Sequence, residues 1–269
     1  MAPVSVGENQ DRYSASVVIP YSPAHTPVQF LETAKQSVKD QPELTEILVV
    51  RDEEQRGPSW ARNRGLEKAE TRFVAFLDAD DRWKEGSLSR QFSRIEETGN
   101  SACVQGPPIP NVDQFIERLL IGDYSTPTSS LLIDTDVVQA SFDEELTHGE
   151  DHLFMIEAAV QGGICACDDL VEVRRHSDSF TSEPGYNDEY VAKQYQLLKR
   201  VRQVTDLPGE IIDQFLAKIH YTGGRLEHAN GNYRTAIDHL WTSLRHQFRI
   251  KTTGALAVSV WGYLKTCTR

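Results

Sequence analysis

Three short apolar runs alternate with two amphipathic segments in the first eighty residues. The runs cover residues 16–20, 46–50 and 72–77, and each predicts a strand. The first is rich in β-branched residues and ends at a proline, which predicts a buried strand. Between them, residues 28–39 and 58–70 carry apolar side chains at helical spacing. This alternation is typical of a parallel sheet covered by helices, so the chain is predicted to have an α/β fold.

Each predicted strand ends in a polar or conformationally restricted segment, and ligands of such sheets bind beyond the carboxyl ends of the strands. After the third strand come Asp78, Asp80 and Asp81, three carboxylates within four residues. They repel one another unless a cation lies among them, and Mg²⁺ and Mn²⁺ prefer oxygen ligands. The turn is therefore a candidate metal site, with an ordinary solvated turn as the alternative.

The second half of the chain has a less regular pattern. A strand is predicted over residues 129–133 and a helix over 151–161 that ends at Gly162-Gly163. Strands are predicted within residues 165–175, around a turn at Asp168-Asp169. From Tyr186 onward the pattern is helical, with a break at Leu207-Pro208-Gly209.

Composition narrows the classes of partner. The formal net charge is −12, with 40 acidic and 28 basic residues, of which nine are Lys. This charge disfavours a nucleic-acid groove, which binds by releasing counterions from phosphates. Many acids with few Lys are also typical of salt-adapted proteins, so we consider a halophilic source beside an ordinary acidic surface.

The N-terminal residues, the longest apolar run and the cysteines bear on the compartment and on membrane contacts. Residues 1–14 are polar and predict a frayed tail rather than a secretion signal, so we expect a cytoplasmic protein. The longest apolar run, residues 255–264, is too short to span a bilayer. The four cysteines lack a paired zinc spacing and predict packing residues in a reducing compartment; they are Cys103, Cys165, Cys167 and Cys267.

The acidic turn belongs to an ordered set of motifs. Residues 17–20 (VVIP), 57–66 (GPSWARNRGL) and 72–83 (RFVAFLDADDRW) lead to Gly149-Glu150-Asp151 at a predicted helix start, and then to residues 174–179 (RRHSDS). In this order, over about two-thirds of the chain, the set resembles the motifs of the family 2 glycosyltransferases, which have the GT-A fold.

The resemblance implies a GT-A catalytic domain with a mixed sheet, which we place over residues 15–182. The polar residues 1–14 are expected to form a tail, and the helical pattern beyond a boundary near Ser182 predicts a helical C-terminal extension over 183–269. The resemblance also implies an inverting, metal-dependent transferase that moves a sugar from a nucleotide-diphosphate sugar to an acceptor hydroxyl. The acceptor would be a glycan or a lipid-linked molecule, which fits a location at the inner face of the cell membrane.

Site residues follow from the matched positions. By resemblance Asp80 would bind a Mn or Mg ion, and Asp78 would be a second ligand or hold the ribose. The planar guanidinium of Arg62 matches the oxygens of a diphosphate in geometry and charge. The alternative is that Arg62 forms an ion pair with the acidic turn and has only a structural role. Trp83 is interpreted as a packing residue. The residues expected on the donor side are Pro20, Tyr21, Ser22, Asp52, Arg62, Asn63 and Asp78.

The acceptor hydroxyl needs a general base on the face opposite the departing diphosphate. Asp151, at a helix start, is the first candidate and Glu150 the second, and simple helix-start capping is the alternative for both. His176 is a candidate metal ligand or a candidate hydrogen-bond donor to the diphosphate; a surface residue is the alternative.

One departure from the family pattern concerns the segment after the second strand. The family usually places a further helix and strand there, whereas here Asp52 leads almost directly into Gly57. This puts recognition of the base in doubt.

Other functions remain open from the sequence. A haloacid-dehalogenase-type phosphatase would carry Thr or Val where Arg82 stands, and a nucleotidyltransferase would carry Gly, Lys or Arg between Tyr21 and Pro27. A non-catalytic module that binds nucleotide-sugars is the remaining alternative. The C-terminal stretch 244–264 mixes cationic and apolar residues, so it predicts either packing on the main domain or a peripheral membrane contact.

Overall fold

The computed structural model describes residues 13–174 and 189–267. The described residues form two compact units. The first lies within residues 1–119 and 124–183, and the second within 120–123 and 184–269. The first unit contains every strand that the structure describes, and the second is helical.

The first three strands and two helices of the first unit follow the predicted order. They are β1 (Ala15–Tyr21), α1 (Val28–Lys39), β2 (Leu44–Arg51), α2 (Pro58–Lys68) and β3 (Phe73–Phe76). Strand β1 pairs in parallel with both β2 and β3. Its residues Val17, Val18 and Ile19 are fully buried, as expected of a parallel strand covered on both faces.

The remainder of the first unit completes the sheet and covers it. Its elements are β4 (Arg82–Trp83), α3 (Ser87–Thr98), β5 (Ala102–Gln105), α4 (Val112–Ile121), β6 (Leu132–Asp134), α5 (Glu150–Gly162), β7 (Ile164–Cys167) and β8 (Val171–Glu172). The last two residues of α4 belong to the second unit. The six-stranded sheet has the order β2-β1-β3-β6-β5-β7. Strand β6 is antiparallel to both of its neighbours, so the sheet is mixed, as the fold assignment expected.

The strand predicted over residues 129–133 is wrong in its first half. Residues Thr128–Ser130 form a 3₁₀ turn, and only Leu132–Asp134 pair as β6. The turn forms because Ser130 donates both its backbone N–H and its hydroxyl to the carbonyl of Pro127, at 3.0 and 2.8 Å. This local bonding competes with the sheet and turns the side chain of Ser129 toward the acidic turn.

Three aromatic side chains connect β3, α5 and the loop that precedes α5. Phe142 and Phe154 stack with ring centroids 4.1 Å apart, and Phe76 meets both edge-on at 5.2 and 5.9 Å. All three are essentially inaccessible to solvent. This packing fixes the start of α5 relative to the end of β3.

The second unit is helical, as predicted. Its helices are α6 (Tyr190–Val204), α7 (Gly209–Ala229), α8 (Tyr233–His246) and α9 (Ile250–Cys267). A break is present where it was predicted, but it covers residues 205–208, and Gly209 already begins α7. Helices α7 and α8 approach closely because Gly224 offers no Cβ, which would lie 2.6 Å from Leu240 Cγ. No helix among the described residues has the length and apolar character needed to cross a membrane.

Helix α2 lies against β1 through a glycine. A Cβ at Gly65 would lie 2.2 Å from Cγ1 of Val18, a fully buried residue in the middle of β1. We expect Gly65→Ala to lower the free energy of unfolding by about 1–3 kcal/mol through overpacking. In a Val18→Ala background, which removes the clashing methyl groups, the same substitution is expected to cost less than about 1 kcal/mol. Urea unfolding of the four proteins of this double-mutant cycle measures the difference, and equal costs in the two backgrounds would contradict the assigned contact.

Candidate active site

The carboxyl ends of β1, β2 and β3 meet at one edge of the sheet. The backbone N–H of Asp52, just after β2, donates to the carbonyl of Tyr21 at the end of β1, at 2.8 Å. The N–H of Leu77 donates to the carbonyl of Val18 at 3.0 Å, which brings Asp78 beyond the same edge. Pro20 and Ser22 flank Tyr21 and are partly exposed, whereas Tyr21 is buried.

The carboxylate of Asp52 holds the loop that leads into α2. Its two oxygens accept hydrogen bonds from the backbone N–H groups of Arg56, at 3.0 Å, and Gly57, at 2.8 Å. Gly57 has φ of +101°, a conformation that favours glycine. Asp52 is 5% exposed, so its observed contacts are those of a loop anchor.

Arg62 carries the central charge of this edge. Its Nη2 donates to Oδ1 of Asp78 at 2.7 Å, and its Nη1 lies 3.8 Å from Oε1 of Glu150. Among the described residues, Nε and Nη1 have no hydrogen-bond partner, although the side chain is only 6% exposed. Burial by itself lowers the pKa of Arg62, but the neighbouring carboxylates outweigh it and raise that pKa above its ordinary value. The ion pair between Arg62 and the acidic turn, which the sequence left open as the structural alternative to diphosphate binding, is therefore present.

Asn63, the next residue of α2, faces the loop before α5. Its Nδ2 donates to the carbonyl of Phe142 at 2.9 Å and to Oε1 of Glu144 at 2.8 Å, and its Oδ1 accepts from the N–H of Phe142 at 2.8 Å. Both amide hydrogens are thus used within the protein. These contacts tie the loop to α2.

Ser129 organises the acidic turn. Its hydroxyl donates to Oδ2 of Asp81 at 2.5 Å and accepts from the backbone N–H of Asp78 at 3.1 Å. Its carbonyl accepts from Nε1 of Trp83 at 2.6 Å, and Trp83 is 3% exposed. No pattern in the sequence indicates this role for Ser129, because it reaches the turn from a segment about fifty residues away along the chain.

Asp81 is the buried member of the triplet. Its Oδ1 accepts from the backbone N–H of Arg174 at 3.0 Å, which ties the turn to the segment after β8. Burial, followed by the negative charge of Asp78, raises the pKa of Asp81 to about 7, against the hydrogen bonds from Ser129 and Arg174 that lower it. Asp78 and Asp80 are partly exposed at the same turn. The sequence marked the triplet but did not single out Asp81.

Glu150 and Asp151 lie together at the start of α5 but in different surroundings. Glu150 is 17% exposed and faces Arg62. Burial, followed by the charge of Asp151, raises the pKa of Glu150 above its ordinary value. Asp151 is partly exposed, and its Oδ2 accepts from the hydroxyl of Thr128 at 3.4 Å. His176 lies outside the described residues.

The turn has the chemistry that a divalent cation requires. Asp78 and Asp80 offer carboxylate oxygens at a partly exposed position, and the charges of both raise the pKa of the adjacent Asp81. A hard cation relieves such repulsion, and Mg²⁺ is commonly held by one or two carboxylates together with substrate phosphates. Among residues 13–174 and 189–267, no group of three or more His, Cys, Asp or Glu is arranged to hold a metal ion.

Known proteins share parts of this sequence and its fold. The model of glycosyl transferase family 2 matches residues 16–155, which include every expected site residue except His176. TuaG of Bacillus subtilis (strain 168), named for teichuronic acid biosynthesis, is 44% identical over 78 residues, 26% of this chain and 30% of TuaG. The chain thus spans less than a third of TuaG.

A second relative matches over a longer stretch. The Escherichia coli protein WfgD, named as a UDP-Glc:alpha-D-GlcNAc-diphosphoundecaprenol beta-1,3-glucosyltransferase, is 23% identical over 187 residues, 65% of this chain and 69% of WfgD. Among solved structures, S. aureus TarS 1-349 in complex with UDP-GlcNAc superposes with a TM-score of 0.62 at 18% identity, over 94% of this chain and 92% of that one. The expected GT-A fold is thereby confirmed.

The burial of Asp81 makes stability depend on pH. A carboxyl whose pKa is raised in the folded state binds its proton more tightly there, so the stabilisation is complete below the unfolded pKa and is lost as pH rises toward about 7. Between pH 5.5 and 7.5 we expect the free energy of unfolding to fall by about 1–2 kcal/mol more in the wild type than in Asp81→Asn. Urea titrations at the two pH values measure this difference. Asp136→Asn, at a side chain that is 71% exposed, is the control and should keep the wild-type slope; an unchanged slope in Asp81→Asn would contradict the assignment.

Proposed function

Because the chain belongs to glycosyl transferase family 2, we propose that it transfers a sugar from a nucleotide-diphosphate sugar to an acceptor hydroxyl. This membership confirms the resemblance noted in the sequence. The proposal concerns the activity of the whole protein, its donor and its acceptor.

The observation that carries the proposal is the buried guanidinium of Arg62 at the sheet edge. It is paired with Asp78 and lies near Glu150, yet Nε and Nη1 have no hydrogen-bond partner among the described residues. A guanidinium has five N–H donors in a planar fork that matches phosphate oxygens. The unused donors suit the oxygens of a diphosphate positioned over the acidic turn.

A divalent cation, Mn²⁺ or Mg²⁺, completes this part of the proposal. Asp80 would hold it, with Asp78 beside it, and the ion would supply positive charge for the departing diphosphate. Asp81 would act indirectly, by holding the turn in place. Its hydrogen bonds to Ser129 and Arg174 fix the backbone of the turn that presents Asp78 and Asp80.

Asp151 is the proposed general base and Glu150 a positioning residue. A base must reach the acceptor, and Asp151 is partly exposed, whereas Glu150 is mostly buried against Arg62. In the proposed reaction the acceptor oxygen attacks the anomeric carbon as the bond from that carbon to the diphosphate oxygen breaks. Asp151 receives the hydroxyl proton, and the diphosphate departs with the bonding electrons, so the anomeric centre inverts.

The nucleotide is proposed to lie along the ends of β1 and β2. Pro20, Tyr21 and Ser22 would line it, and Asp52 would contribute by holding the loop into α2 as well as through any direct contact. Asn63 is proposed to position the loop at residues 142–144 rather than to contact the donor, since its amide hydrogens are already used. His176 remains a proposed site residue.

The donor and acceptor are proposed by similarity. TarS was solved with UDP-GlcNAc, and the name of WfgD specifies UDP-Glc and an acceptor linked to a lipid diphosphate. We propose a UDP-sugar as the donor and a glycan or lipid-linked sugar as the acceptor. The short connection between Asp52 and Gly57 makes UDP, GDP and dTDP the set of nucleotides to compare first.

The two carboxylates at the start of α5 are expected to differ in kinetics. Asp151→Asn removes the proton acceptor, and we expect kcat to fall by about 10²–10⁴-fold with little change in donor affinity. Glu150→Gln keeps the proposed base but removes the charge facing Arg62, so we expect a rise in the donor KM larger than the fall in kcat. Steady-state transfer with the best UDP-sugar measures both. Equal effects on kcat from the two variants would overturn the division of roles, and binding of donor without any turnover in the wild type would favour a non-catalytic module.

Dependence on the cation is expected to appear as ligand-induced stabilisation. Mn²⁺ and UDP together should raise Tm, since saturation at 100 times Kd adds about 2.7 kcal/mol to stability. Asp80→Asn, or EDTA added to the wild type, should abolish that shift, whereas Asp136→Asn, at an exposed carboxylate, should keep it. Thermal unfolding with UDP, Mn²⁺ and both tests this. A UDP shift that persists in EDTA and in Asp80→Asn would refute the proposed metal site.

A further inference from the structure

Helix α9 exposes most of its large apolar side chains and buries two polar ones. Ile250, Trp261 and Leu264 are 83%, 60% and 56% exposed, and their spacing of eleven and three residues places them on one face of the helix. On the opposite face, Thr252 and Ser259 are 0% and 1% exposed. The orientation is thus the reverse of that expected for a surface helix of a water-soluble protein.

Specific contacts within the second unit fix this orientation. Ser259 Oγ lies 2.9 Å from Nδ1 of His228 on α7. A Cβ at Gly262 would lie 2.7 Å from the ring of Tyr233 on α8, so only glycine permits this approach. Rotating α9 to bury Trp261 would break both contacts.

The exposed apolar side chains are concentrated in this segment. Seven of the fourteen large exposed hydrophobic residues found among the described part of the chain lie between residues 248 and 264. Phe248 and Ile250, at the turn into α9, are the two most exposed of the set, at 73% and 83%. Isolated apolar residues are common on surfaces, whereas several large ones concentrated in one short segment indicate an interaction surface.

Charge is segregated in the same stretch. The chain has 40 acidic residues and a net charge of −12, yet no Asp or Glu occurs after Asp238. The last 31 residues contain five cations, Arg245, Arg249, Lys251, Lys265 and Arg269. Lys251 and Lys265 are exposed on α9, and the Lys265 ammonium lies 3.3 Å from the centroid of the Trp261 ring. A lysine placed beside an aromatic ring at the rim of an apolar face is the arrangement of an interfacial helix.

From these observations we propose that α9, together with Phe248, is a peripheral membrane-binding surface that inserts its apolar face into an anionic lipid surface. The apolar side chains enter the boundary between headgroups and acyl chains, and the cations meet the anionic headgroups. In this proposal, helix α9 lies in the plane of the interface. The proposal stands apart from the proposed enzymatic reaction and holds or fails without it.

Charge favours a lipid surface over a second copy of this chain. A two-fold dimer through α9 would bring the same surface of two chains together. Lys251 and Lys265 would then face one another or their own equivalents, and residues 239–269 contain no Asp or Glu side chain to pair with them across such an interface. An anionic bilayer provides the opposite charge along the whole helix.

Co-sedimentation of the full 269-residue chain with lipid vesicles tests the proposal. Vesicles of phosphatidylcholine with about one third phosphatidylglycerol are compared with vesicles of pure phosphatidylcholine at 0.1 M NaCl, close to physiological ionic strength. We expect at least tenfold stronger partitioning to the anionic vesicles, falling by about fivefold for each cation removed. Lys251→Glu with Lys265→Glu should therefore lower partitioning by at least about 25-fold.

The apolar face has a matched control in the first unit. Trp261→Gln with Leu264→Gln is expected to lower partitioning by at least about tenfold. Val137→Gln with Val160→Gln changes two side chains that are 39% and 45% exposed and should leave it unchanged. Circular dichroism and Tm establish that each variant is folded, and because the substituted side chains are exposed, we expect wild-type values.

Three outcomes would overturn the proposal. The first is wild-type partitioning by the Trp261→Gln, Leu264→Gln protein, and the second is equal partitioning of the wild type to anionic and neutral vesicles. The third is a wild-type dimer in sedimentation velocity that does not bind vesicles and dissociates when Trp261 and Leu264 are substituted. That result would assign the surface to contact between copies of the chain.

Discussion

The buried charge of Arg62 is the constraint on which the active-site edge depends. A guanidinium that is only 6% exposed is tolerated because Asp78 pairs with it directly and Glu150 lies close by. Removing one partner of a buried ion pair leaves an uncompensated charge and typically costs about 3–5 kcal/mol. Since Arg62 lies on α2, Asp78 after β3 and Glu150 at the start of α5, this electrostatic requirement fixes three elements relative to one another. Groups proposed for the donor and for the base are thereby held at one edge of the sheet.

Hydrogen bonds from uncharged side chains hold the loops around this ion pair. Ser129 holds the acidic turn through Asp81 and the backbone of Asp78, and Asn63 holds the loop that leads to α5. Phe142, in that loop, also packs on Phe154 and lies under the guanidinium of Arg62, 5.3 Å from ring centroid to Cζ. The site is therefore built on rigid strands and helix starts, with its loops bonded to them. Such support is what preorganised charge stabilisation needs.

The two units differ in which side chains they bury and which they expose. In the first, a sheet covered on both faces leaves its strand ends for polar groups. In the second, α9 uses polar and small residues for its inner contacts, which leaves Trp261 and Leu264 at the surface. If an apolar environment outside this unit covered these two side chains, their burial would add hydrophobic free energy that the present orientation leaves unused. The structure thus identifies an amphipathic face that the sequence described only as a mixture of cationic and apolar residues.

The sequence by itself determined the order β1-α1-β2-α2-β3, the acidic turn after β3 and the helical character of residues beyond 189, because hydrophobic periodicity is a local property. It gave no assignment for α3, whose buried face includes the polar Gln91, and it extended β6 into a 3₁₀ turn. Only the tertiary structure decided that Asp81 is buried, that Asn63 bonds the loop near Phe142 and that Ser129 joins the turn. Those partners lie about fifty to eighty residues apart along the chain, and their contacts arise from the packing of distant segments, which no local pattern encodes.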